Sequence, residues 1–139
     1  MAKLTEINTY DDKNGVLAVL ESPVLPFPIK RVFWIYNNSP ESVRGKHRHK
    51  KSTHLLVCMV GSCKVYVNNE GEENAFLLNS PNKILLLEPT DWREMYDFSE
   101  NCVLSCFSNE LYDSNDYIFT PYQKVDKQLQ INECNRELF

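Results

Sequence analysis

Nine short β-prone runs, separated by turn-forming clusters about every 8–12 residues, constrain this chain more than any other feature of its sequence. The runs are Val16–Glu21, Ile29–Asn37, Lys46–Lys50, Leu55–Val60, Cys63–Asn68, Ala75–Leu78, Lys83–Glu88, Trp92–Phe98 and Cys102–Ser108. Asn, Asp, Ser, Gly and Pro fill the intervals, as in Asn37-Asn38-Ser39-Pro40, Gly61-Ser62 and Asn79-Ser80-Pro81-Asn82; these residues favour turns through left-handed backbone, fixed φ or local hydrogen bonds. Such spacing predicts an all-β sandwich or barrel. No repeat, low-complexity tract or linker divides the 139 residues, so a single domain spanning 1–139 is expected. Helical character is confined to the tail, 123–138, which lacks Gly and Pro and carries a narrow stripe of Val125, Leu129 and Leu138.

Two runs carry more than a core pattern. In Cys63–Asn68 the Cys and Val residues alternate with polar ones, the signature of a strand with one face buried. In the run beginning at Trp92, residues Trp92, Glu94, Tyr96 and Phe98 share one face, opposite Arg93, Met95 and Asp97. Neither face is simply apolar, a pattern that fits the wall of a ligand-holding barrel and equally a structural strand with edge charges.

Charge narrows the function. The formal net charge is −4, and the densest basic stretch, Arg44 to Lys51, is short. Nucleic acid is therefore not an expected partner, since binding the phosphate backbone requires clustered Lys and Arg. The N-terminus has no apolar leader and no run reaches 18 apolar residues, so no membrane association and a cytoplasmic location are expected. The five cysteines include no C-x-x-C pair, and four of them sit in apolar runs, which reads as free thiols in a reducing compartment.

All three histidines lie within Arg44-Gly45-Lys46-His47-Arg48-His49-Lys50-Lys51 and the residues just after it. In a strand, His47 and His49 project from the same face. Two imidazoles aimed into one cavity can bind a metal or move protons near neutral pH; on the outside they would be surface residues of a basic strand. Sequence alone does not place His54 on either face.

The segments Arg44-Gly45-x-His47-x-His49-Lys50-Lys51, Trp92-Arg93-Glu94-Met95 and Tyr112-Asp113-x-x-Asp116-Tyr117-Ile118 occur in one order with Ile29-Lys30-Arg31-Val32, Leu56-Val57-Cys58 and Gly61-Ser62-Cys63. Together they resemble the cupin-fold sugar 3,4-ketoisomerases acting on dTDP-4-keto-6-deoxyglucose, from about residue 4 to residue 122. The resemblance implies a cupin jelly-roll (double-stranded β-helix) barrel with a short C-terminal helix, and a homodimer. It implies that His47 and His49 are the catalytic proton carriers, His49 being the preferred base. Arg44, Arg93, Phe33, Trp92, Glu94 and His54 are the implied substrate-binding residues.

A C4 ketone acidifies the proton on C3, so a base with a pKa near 7 can generate an enediol, and reprotonation at C4 completes the isomerisation without a cofactor. Metal-binding cupins follow G-x5-H-x-H-x3-4-E with a later histidine. Here the Glu position holds Thr53 and no histidine follows His54, so no metal is expected. Relatives tend to have Tyr at Phe33 and often Gln at His54. Arg93 resembles the members that make the gluco product, whereas Asn14 matches neither known form. The expected product is a dTDP-3-keto-6-deoxyhexose supplying a 3-aminotransferase, for 3-acetamido-3,6-dideoxyhexose in bacterial surface glycans. The competing readings are a 3,5-epimerase of related fold, a non-catalytic sugar-binding barrel and a metal-dependent oxygenase.

Overall fold

The structure, a computed structural model, describes residues 1–123. The expected C-terminal helix and Cys134 lie outside the described residues. The described residues form twelve strands: β1 (Lys3–Glu6), β2 (Asn8–Asp12), β3 (Gly15–Val19), β4 (Arg31–Tyr36), β5 (Arg44–His49), β6 (His54–Val60), β7 (Cys63–Asn69), β8 (Glu72–Leu78), β9 (Lys83–Leu87), β10 (Trp92–Tyr96), β11 (Val103–Ser108) and β12 (Tyr117–Ile118). Each of the nine expected runs forms one of these strands. A 3₁₀ turn, Ser114–Asp116, precedes β12.

Two five-stranded antiparallel sheets, β1-β9-β6-β11-β4 and β12-β5-β10-β7-β8, form the jelly roll, and β2 and β3 make a separate hairpin. The main core lies between the sheets. Leu56, Cys58, Leu85, Leu87 and Leu104 of the first meet Cys63, Val65, Val67, Leu78 and Met95 of the second. Each of these strands is thus apolar on its inward face, and burying a large side chain there contributes about 1.5–3 kcal/mol. A second cluster covers the outside of the first sheet, where Leu20, Leu25 and Phe27 pack on Leu55, Val57 and Ile84.

Three strands escape the sequence patterns, and each lacks a buried apolar face. All five residues of β2 are exposed, and it pairs only with β3. Strand β1 is largely exposed along the edge of β9, and β12 has only two residues. The run from Trp92 also ends earlier than its alternation implied. Asp97 adopts φ 53°, which breaks the period of two, and Phe98 turns inward to 3% exposure instead of sharing a face with Trp92.

The turn between β6 and β7 packs against the turn 99–102. Gly61 has φ +73°, and a Cβ there would lie 2.3 Å from Ser99 Oγ and 2.5 Å from Asn101 Oδ1. Replacing Gly61 by Ala should therefore destabilise the fold by about 2 kcal/mol or more, the left-handed backbone alone costing an L-residue about 1–2 kcal/mol. The midpoint of urea unfolding measures this; an unchanged midpoint would show that the turn relaxes freely.

Candidate active site

The inward faces of β4, β5, β6, β10 and β11 enclose a cavity of about 320 Å³. Its wall includes Phe33, Arg44, His47, His54, Arg93 and Tyr117. The R-G-x-H-x-H segment reaches it through a distortion of β5. Pairing with β10 shifts register between Arg93 and Glu94, opposite Gly45 and Lys46, both at positive φ. Gly45 is required by close approach, because a Cβ would lie 2.8 Å from the Arg93 carbonyl. Beyond this irregularity His47 and His49 both face inward, their ring centroids 4.8 Å apart.

The other sheet supplies the third imidazole. His54 opens β6 and meets His49 at 4.8 Å between centroids. His49 thus contacts both His47 and His54, the two histidines of the cavity wall, and is itself only 2% exposed.

Hydrogen bonds fix each ring. Asp116 Oδ2 accepts from His49 Nδ1 at 2.8 Å, leaving the Nε2 lone pair of His49 buried and without a partner among the described residues. His47 Nδ1 donates to the Gly45 carbonyl at 3.0 Å. Arg93 cannot accept, so its Nη1 donates to His54 Nδ1 at 3.1 Å, and the proton of neutral His54 must sit on Nε2. That N–H is also buried and unpartnered. The cluster therefore presents a lone pair on His49 and a donor on His54.

Arg93 and Asp116 are the charges at the centre. Arg93 is 1% exposed and is held by the Asp91 carbonyl (Nε 3.1 Å, Nη2 2.9 Å) and the Glu88 carbonyl (3.0 Å). Burial lowers its pKa to about 10, which leaves it charged at neutral pH. Asp116 accepts from Ser52 Oγ and from the Lys50 and Lys51 amides as well as from His49. Burial would raise its pKa, but these donors outweigh burial and hold it at about 2.

The expectation of a base with a pKa near 7 needs correction for the unliganded protein. Burial first, then Arg93, lowers His47 and His49 to about 4 and His54 to about 2. All three rings are neutral at physiological pH.

Of the residues expected at the site, His47, His49, His54, Arg93, Phe33 and Arg44 meet in or against this cavity. Arg44 also donates to Asn38 Oδ1 at 2.7 Å. Trp92 and Glu94 do not join them. They lie on the opposite face of β10 and hydrogen-bond each other at 3.0 Å, in a groove of about 650 Å³ shared with Tyr66, Tyr96 and Tyr122. Neither residue lines the histidine cavity. Period-two alternation already separated them from Arg93; the motif had grouped them.

Two residues went unassigned in the sequence. Asp116 and Tyr117 belonged to a matched segment, yet only the pairing of β12 with β5 brings them to the histidines. Tyr117 lies 4.7 Å from His49 and 4.8 Å from His47 between centroids. Among the described residues it is the tyrosine of the cavity wall; of the two aromatic residues near Phe33 in sequence, Trp34 also borders the cavity although 60% exposed, and Tyr36, 58% exposed, does not.

A jelly-roll barrel whose cavity holds neutral imidazoles in fixed tautomers beside a buried guanidinium belongs with the cupin-type barrels equipped for proton transfer. Comparison with known proteins narrows that class. Residues 1–128 match the family described as FdtA: WxcM-like, C-terminal. The TDP-4-oxo-6-deoxy-alpha-D-glucose-3,4-oxoisomerase of Aneurinibacillus thermoaerophilus is 39% identical over 108 residues, 78% of each chain. Among solved structures, a 3,4-ketoisomerase from Helicobacter canadensis aligns with TM-score 0.81 and 34% identity, covering 86% of this chain and 90% of that one. The sugar 3,4-ketoisomerase QdtA from Thermoanaerobacterium thermosaccharolyticum, in complex with TDP, aligns with TM-score 0.82 and 35% identity, covering 99% and 97%. A histidine-to-asparagine mutant of QdtA in complex with TDP-4-keto-6-deoxyglucose aligns equally well, over 97% and 94%. The chain belongs to this family of sugar 3,4-ketoisomerases, and its class of activity is isomerisation.

The depressed histidine pKa values set a pH dependence of stability. Between about pH 6.5 and pH 4 the unfolded chain takes up protons that the folded histidines refuse, so stability present above pH 6.5 is lost as the pH falls through that window. The urea midpoint should drop from pH 7.5 to pH 5, and less steeply in His54→Gln. An equal drop in the variant would show that His54 is not held neutral.

Proposed function

We propose that this protein converts dTDP-4-keto-6-deoxy-D-glucose to the corresponding dTDP-3-keto-6-deoxyhexose, with the hexose in the histidine cavity. The observation that carries this reading is the buried pair of unpartnered Nε2 atoms, a lone pair on His49 and an N–H on His54, beside Arg93. The cavity volume of about 320 Å³ falls at the small end of ligand sites and suits a hexose with its nucleotide outside.

In this mechanism His49 removes the C3 proton, its ring oriented through Nδ1 by the Asp116 carboxylate. The resting pKa of about 4 leaves the lone pair free, and the negative enediolate then stabilises the imidazolium as it forms. His54 Nε2–H and Arg93, whose bond to Nδ1 sets the tautomer of His54, stabilise the developing oxyanion. His47 delivers a proton to C4, the O3 hydroxyl proton passes to O4 as the ketone moves to C3, and His49 gives up the proton it took, which returns the site to its starting state. Tyr117 takes the place of the hydroxyl that Phe33 lacks, and Arg44 receives sugar or diphosphate oxygens. No step calls for a metal or a redox cofactor.

The gluco configuration at C4 is proposed because Arg93 stands between Trp92 and Glu94. The product is suited to a 3-aminotransferase for a surface-glycan 3-amino sugar. The working unit is proposed to be a cytoplasmic homodimer of one-domain chains. Val32, Trp34 and Tyr36, exposed along edge strand β4, support the dimer, and four buried free cysteines accord with a reducing compartment. Light scattering giving the mass of one chain would remove the dimer from this picture.

Incubation with the 4-keto sugar in deuterated water, with trapping by a 3-aminotransferase and NMR of the product, should show deuterium at C4 in the gluco arrangement. Label at C5 would mean 3,5-epimerase chemistry, and a galacto product would overturn the stereochemical assignment. His49→Asn should abolish turnover while dTDP binding persists. His54→Leu should lower kcat by about 100-fold or more, as loss of an oxyanion donor does. His54→Gln, which keeps an N–H donor, should recover most of that loss; equal damage from both variants would refute a donor role.

A further inference from the structure

Three free cysteines, none of them among the residues lining the histidine cavity, converge beside the turn between β6 and β7. Cys58 comes from β6, Cys63 opens β7 and Cys102 precedes β11; each is 2% exposed or less. Their sulfur atoms lie within 4.8 Å of one another, and Cys58 and Cys102 are 3.6 Å apart. Two hydrogen-bonded turns create this meeting. Ser62 N donates to Ser99 Oγ at 2.9 Å, Ser99 N donates to the Ser62 carbonyl at 2.9 Å, and Cys102 N donates to the Ser99 carbonyl at 3.0 Å.

We propose that Cys58, Cys63 and Cys102 form a three-thiolate site for a soft, thiophilic trivalent ion of the arsenic(III) type. The geometry fits. Arsenic–sulfur bonds of about 2.3 Å meeting in a pyramidal three-coordinate shell set sulfur atoms roughly 3.5 Å apart, close to the 3.6 Å between Cys58 and Cys102, and all three sulfurs lie within 4.8 Å of one another.

The surroundings select the charge of the ion. The triad shares its core cluster with Leu56, Val65, Leu78, Phe98 and Leu104, where a residual charge would be costly. Arsenous acid reacts with three thiols to give an arsenic tris-thiolate and three waters. Three As–O bonds are replaced by three As–S bonds, each thiol proton leaves in a water molecule, and no oxidation state changes. The complex is neutral, whereas a divalent ion on three thiolates would keep a negative charge. Binding also ties β6, β7 and the 99–102 turn together.

The test uses the freshly reduced full chain with arsenite as probe. Native mass spectrometry should find one arsenic per chain with three protons lost, and the Tm should rise. Cys58→Ser, Cys63→Ser and Cys102→Ser should each weaken binding by at least about 100-fold, the upper end of what outer-shell changes cost at metal sites. A Cys106→Ser/Cys134→Ser double variant should bind as the parent does. If the single variants fail to fold, X-ray absorption on the parent protein decides: three sulfur neighbours support the site, and fewer overturn it. Absence of an adduct, binding that survives Cys102→Ser, or oxidation of Cys58 and Cys102 to a disulfide in place of arsenic uptake would also overturn it.

Discussion

The buried guanidinium of Arg93 is the constraint around which this barrel is arranged. A cation at 1% exposure is tolerable only where its donors are met, and the carbonyls of Asp91 and Glu88 and the ring of His54 meet them. The turn that presents those carbonyls is itself fixed. Asp91, fully buried, accepts from the Glu88 amide at 2.8 Å and from Asn69 Nδ2 at 2.9 Å. The carbonyl of Pro89, in the same turn, accepts from the His49 amide at 2.8 Å. One turn thus positions the cation and one of the imidazoles it acts on.

From that placement the electrostatics of the site follow. The field of Arg93, added to burial, keeps three adjacent imidazoles neutral, and its hydrogen bond to His54 dictates which nitrogen of that ring carries the proton. Asp116 supplies the opposing charge on the far side of His49. A row of histidines that could otherwise repel one another or exchange tautomers becomes an ordered set, with an acceptor on His49 and a donor on His54. For a reaction that passes through an enediolate, such preorganisation matters more than a resting pKa matched to neutrality.

The fold was readable where strands have one apolar face. Cys63, Val65 and Val67 alternate with polar neighbours and are fully buried, as their pattern required. It was unreadable where strands are held by pairing alone, as in β2, and where a single positive φ at Asp97 resets the alternation and turns Phe98 into the core. Within the site, same-face projection of His47 and His49 followed from their spacing. The exclusion of Trp92 and Glu94 from the cavity was implicit in the alternation of β10, although the motif around them pointed the other way.

By itself the sequence determined an all-β sandwich or barrel, the same-face projection of His47 and His49 and, through motif order, the family. Those properties depend on local periodicity and on short segments, which a linear chain records directly. The tertiary structure alone decided that His54 crosses from the opposite sheet to meet them, that Asp116 anchors His49 from 67 positions away, and that three cysteines from separate runs converge. These contacts arise where strands distant in sequence become neighbours in space, and no local pattern of side chains encodes that adjacency.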